Sequence, residues 1–125
     1  MPAFKLKQLH YEIDTWERTL EFVTVENIFM KNRLSEVLKD KFNTDLLEKF
    51  EHFQNRFIKL DDLVGFLRND VAEFDMLLST ETFLDNHITN GLEIKLNKLR
   101  TNIINAEMQF NNLNIDFNNY LLENM

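Results

Sequence analysis

The sequence predicts an all-α fold, an up-down-up antiparallel three-helix bundle of long coiled-coil-like helices, and three observations predict it. Apolar residues recur in alternating steps of three and four along three long stretches, the spacing that keeps one stripe of a helix against a partner. Short polar segments separate the stretches. Of the 125 residues two are Gly and one is Pro, and Pro2 lies at the extreme N-terminus, so no proline interrupts the rest of the chain. Residues 1–125 therefore read as a single helical-bundle domain, with helices at about 4–41, 45–78 and 82–123.

The first ladder runs Leu6, Leu9, Ile13, Trp16, Leu20, Val23, Asn27, Met30, Leu34, Val37. It ends at the polar Phe42-Asn43-Thr44-Asp45, where Asp45 followed by Glu48 has the form of a capping box. The second ladder is Leu46, Phe50, Phe53, Phe57, Leu60, Val64, Leu67, Val71, Phe74, Leu78, and Ser79-Thr80-Glu81-Thr82 then supplies N-cap candidates for a third helix. The third ladder is Leu84, Ile88, Leu92, Leu96, Leu99, Ile103, Ala106, Phe110, Leu113, Phe117, Tyr120. Connections this short make consecutive helices antiparallel neighbours, and helices of roughly 35 residues are about 50 Å long. The third ladder opens on steps of four around Asn90-Gly91, a turn-forming dipeptide. A continuous, slightly bent helix is expected there, and a short separate helix over 81–90 is the alternative.

Counting outward from pivots at Phe42 and Thr80 sets Trp16 level with Leu67, Val71 and Gly91, with Gly65 a turn away. Two mid-helix glycines, each costing about 1 kcal/mol relative to Ala, would then make room for the indole. The same count sets Asn27 against Phe57 and Ile103, where a seam Asn can fix register, or can angle out to Thr24, Asn102 or water. It also leaves the tail Tyr120–Met125 overhanging the first connection, to be received by Phe42 or by another subunit.

Composition excludes several functions. With no Cys there are no disulfides, thiolate nucleophiles or Cys-based zinc sites. The net charge of −7 argues against a phosphate-backbone ligand and so against nucleic acid. No apolar run has the length of a membrane span, no helix has a basic polar face, and the start MPAFKLKQLHYEID has no signal-peptide core. A cytoplasmic protein is expected. The many Asn from Asn97 to Asn124 read as a solvated helix surface, because apolar periodicity continues through them.

Reactive constellations are sparse. The residues three before His10, His52 and His87 are Lys7, Lys49 and Leu84, so the Glu-x-x-His pairs of di-iron bundles are missing. Only Ser35, which reads as mid-helix, and Ser79, which reads as a helix-end residue, offer serine hydroxyls, and two isolated glycines make no phosphate-cradling loop. The expectation is a protein that is not an enzyme and holds no cofactor. One weak alternative is a divalent cation at the bundle end where the count gathers His10, Asp14, Asp75 and His87, together with Glu73 and Asp85.

The departure from a simple bundle lies on the first helix. Phe22, Val25, Ile28 and Phe29 fall on the face opposite the seam, where polar residues belong. Ile58, Phe66, Ile104 and Ile115 add weaker signals on the other helices. Such a patch marks a contact, here self-association as a homo-oligomer or binding of another protein. The competing reading turns these residues into a wide core. Two segments, Glu51-His52-Phe53-Gln54-Asn55-Arg56-Phe57-Ile58 and Trp16…Leu20-Glu21-Phe22…Lys31-Asn32-Arg33-Leu34-Ser35-Glu36-Val37, resemble small uncharacterised all-helical proteins of bacteria. The resemblance covers the first two helices and implies a bacterial cytoplasmic bundle with no catalytic or binding residue to carry over.

Overall fold

A computed structural model describes residues 3–40, 44–82 and 90–124. It consists of three helices, α1 (Ala3–Asp40), α2 (Thr44–Thr82) and α3 (Asn90–Glu123), with no strand among the described residues. The ion pairs fix their directions. On α1 and α2, Lys31 pairs with Asp61, Glu21 with Arg68 and His10 with Asp75, so one number falls as the other rises. On α2 and α3, Arg56 pairs with Asp116 and Glu73 with Lys95. Between α1 and α3, the Glu12–Arg100 pair and the Phe22–Phe110 ring contact share one offset of 88 residues. Each sequential pair is therefore antiparallel, α1 and α3 are parallel, and the bundle runs up-down-up.

The core is built from the ladders. From Leu9 to Leu34, from Phe53 to Leu78 and from Leu92 to Tyr120, every ladder residue is buried, while Leu6, Val37 and Phe50 are partly buried against them. Alternating steps of three and four keep each stripe turned to its neighbours over the whole helix. Each fully buried Leu or Phe contributes about 1.5–3 kcal/mol of burial free energy. At one end Phe53, Phe57, Phe117 and Tyr120 pack as a ring cluster with centroids 5.0–6.5 Å apart. Burial there pushes the Tyr120 phenol above its ordinary range. Trp16 packs on Phe74 of α2 at 6.5 Å.

Several expectations are corrected by the second hairpin. α2 runs through Ser79-Thr80-Glu81-Thr82, because a threonine can stay in a helix by bonding back one turn, as Thr80 Oγ1 does to the Met76 carbonyl at 2.8 Å. α3 is described from Asn90 onward, so the choice between a continuous, slightly bent helix and a short separate helix over 81–90 falls on residues outside the described ones. The residues between, including Leu84, Asp85, His87 and Ile88, lie outside the described residues, as does Phe42 in the first connection. The Arg56–Asp116 and Glu73–Lys95 pairs centre this hairpin near position 85 instead of Thr80. The end of α3 therefore meets the early turns of α2 and does not overhang them: Phe117 and Tyr120 both stack on Phe53, and the Lys49 ammonium lies 5.8 Å from the Tyr120 ring.

The glycines are corrected too. A Cβ built on Gly65 meets nothing within 4 Å, so Gly65 makes no room for Trp16. Gly91 is exposed in the first turn of α3, and the 88-residue offset puts Trp16 level with Ile104.

Candidate functional site

The outer face of α1 starts from its sequence spacing. With Leu20, Val23, Asn27 and Met30 turned inward, the helical repeat leaves Phe22, Val25, Ile28 and Phe29 on the outside. Their exposures are 56%, 39%, 49% and 59%, so the helix does not turn them into a wide core. Ile58, Phe66, Ile104 and Ile115 are exposed as well.

The four do not share one environment. Phe22 leans toward α3, where its ring meets the edge of Phe110 with centroids 5.8 Å apart and planes at 76°. Phe29 is one seven-residue repeat further along the same side. Ile28 lies on the α2 side, one repeat beyond Glu21, whose carboxylate takes a 2.6 Å hydrogen bond from Arg68. Val25 sits between. α1 and α3 approach each other least of the three helix pairs. A groove therefore runs between them, with Arg18, Thr19, Phe22, Glu107 and Phe110 along one stretch. Nearer the start of α1 it is crossed by two hydrogen bonds from the Arg100 guanidinium to Glu12, at 2.7 and 2.8 Å. That pairing, above all the hydrogen bonding, holds the guanidinium charged beyond its ordinary range.

Asn27 is the one buried polar side chain among the described residues. Its Nδ2 donates to the Phe57 carbonyl at 3.1 Å, the neighbour expected from the sequence, and to Asp61 Oδ1 at 2.7 Å. The second Asp61 oxygen accepts from Lys31. Asn27 Oδ1 accepts no hydrogen bond from the described residues. The sequence reading missed Asp61 and Lys31. Their signal was the four-residue step from Asn27 to Lys31 on one helix and from Phe57 to Asp61 on the other, which stacks both pairs on facing stripes.

The cation alternative gains little. His10 Nδ1 lies 3.8 Å from Asp75 Oδ1, which unites two of the four candidates. Asp14 lies in an open hollow with Glu17, Arg18, Glu21 and Phe22, and His87 is outside the described residues. Among the described residues no group of three or more His, Asp or Glu side chains could hold a metal ion, and no helix is long and apolar enough to cross a membrane. Compared with models of protein families, with curated proteins and with solved structures, the chain matches none.

Proposed function

We propose that this chain is a non-enzymatic helical bundle that works through protein–protein contact, with a second copy of itself as the partner. The observation that carries this is the exposure of Phe22, Val25, Ile28 and Phe29 within two turns of one helix. Leaving four large apolar side chains in water is unfavourable by about 25 cal/mol for each Å² of apolar surface that a contact would cover. A patch of this kind is a contact surface or an aggregation hazard. The protein already has a continuous core without it.

The test is the double variant Phe22→Glu/Phe29→Glu, measured by light scattering and circular dichroism. The expected result is an associating wild type and a folded, monomeric variant. The variant should lose about 1 kcal/mol of stability with the Phe22–Phe110 ring contact. A variant that unfolds would make both residues core, and a variant that associates like the wild type would move the contact elsewhere.

A further inference from the structure

Along the outside of α1, Arg18, Phe22, Val25, Phe29, Asn32 and Glu36 follow steps of four and three residues, the alternation of the buried seam. All six are exposed. A ladder with that spacing is a second helix-packing stripe, apolar at its centre and oppositely charged at its two ends. Set against a reversed copy of itself, Arg18 meets Glu36, Phe22 meets Asn32 and Val25 meets Phe29. Set against a parallel copy, Arg18 faces Arg18 and Glu36 faces Glu36. Charge complementarity therefore selects the reversed arrangement.

Two independent features agree with it. Arg18 and Glu36 make no ion pair among the described residues, and Arg18 only reaches the Thr15 hydroxyl at 3.4 Å. Glu12, Glu21 and Lys31 on the flanks of the same helix are paired within the chain, whereas Glu17, Glu26 and Arg33, like Arg18 and Glu36, have no ion pair among the described residues. On α3, Met108, Ile115 and Leu122 are exposed and fall seven residues apart on one face. The 88-residue offset between α1 and α3 sets them level with Leu20, Asn27 and Leu34, symmetrically about Asn27, which is the midpoint of the outer ladder. This row of three on α3 thus has the same centre as the charge pattern, while Ile94 and Ile104, also exposed, lie toward the start of the helix.

We propose that two copies of this chain associate with α1 antiparallel to α1, about a two-fold axis level with Asn27, so that Arg18–Glu36 pairs form between copies at both ends. This deepens the self-association reading and rests on it. Val25 and Phe29 form the centre, and the Phe22 side of the stripe lies along the α1–α3 groove beside Glu107 and Phe110. A two-fold contact is self-complementary and closes at two chains, which protects the apolar face from open-ended assembly.

The test is sedimentation velocity over a dilution series of the wild type, R18E, E36R and R18E/E36R, with helical content followed by circular dichroism. Both side chains are exposed, so helical content stays that of the wild type. The wild type should be dimeric. Each single reversal should weaken the dimer about tenfold or more, because symmetry turns one substitution into two like-charge contacts. The double reversal should return it to within about threefold of the wild type. Single reversals without effect, or a double variant no tighter than the weaker single one, would overturn the antiparallel pairing. If F22E/F29E is then still monomeric, self-association through this face stands. A wild type that is monomeric throughout the series would overturn both.

Discussion

Gly65 is central in α2, exposed, and open to solvent where a side chain would begin. A glycine inside a helix costs about 1 kcal/mol relative to alanine, because the unfolded chain has more backbone freedom to lose. Neither Trp16 nor any other group among the described residues uses the missing methyl. Gly65→Ala should therefore raise stability by about 0.5–1 kcal/mol, read as a higher denaturant midpoint with an unchanged slope. A fall in the midpoint would show that the position needs glycine after all. Trp16 meets its own packing demand differently: its indole lies against Phe74, with the ladder of α2 as its seat.

Between elements, Asn27 ties α1 to α2 at one height. Its two donated bonds and the Lys31–Asp61 pair occupy a single level of the hairpin, so a slip of either helix by one turn would strand a buried amide. Oδ1 takes no hydrogen bond from the described residues, and a buried polar atom left without a partner costs about 1–3 kcal/mol. Asn27→Leu removes that penalty, fills the seam and leaves Asp61 paired with Lys31. It should stay within about 1 kcal/mol of the wild type in chemical denaturation, whereas Asn27→Ala, which also leaves a cavity, should lose about 2 kcal/mol. Equal losses for both variants would mean that the amide's hydrogen bonds, not its volume, hold the hairpin. The ladders were legible in the sequence because apolar spacing is local information, and every interior rung is buried. The level of one helix against the next was legible only where the turn was placed correctly. Centring the second hairpin on Thr80 misplaced every α3 partner of α1, from Gly91 beside Trp16 to the overhanging tail, because Thr80 bonds back into α2 and continues it. The outer apolar face was legible as a break in the polar pattern. Its division between an α3 side at Phe22 and an α2 side at Ile28 was not, because that depends on where the neighbouring helices sit.

At the scale of the whole molecule, the proposed contact couples association to folding. The face on α1 exists only when the inward ladder has fixed which side of the helix is outside, so a second copy binds the folded chain and not the unfolded one. Anything that binds only the native state raises its stability by mass action. The melting temperature of the wild type should then rise with protein concentration, by about 2–3 °C for each tenfold increase above the dissociation constant. The Phe22→Glu/Phe29→Glu variant should melt at a temperature that does not depend on concentration. It should also melt lower than the wild type at every concentration, because the Phe22 ring contact with Phe110 is lost within the chain itself. The slope against concentration therefore separates the two roles of this face: the drop common to all concentrations belongs to intramolecular packing, and the part that grows with concentration belongs to the partner. A wild type whose melting temperature is flat over a hundredfold range would leave only the first role, and the exposed face of α1 would then have to serve a different protein.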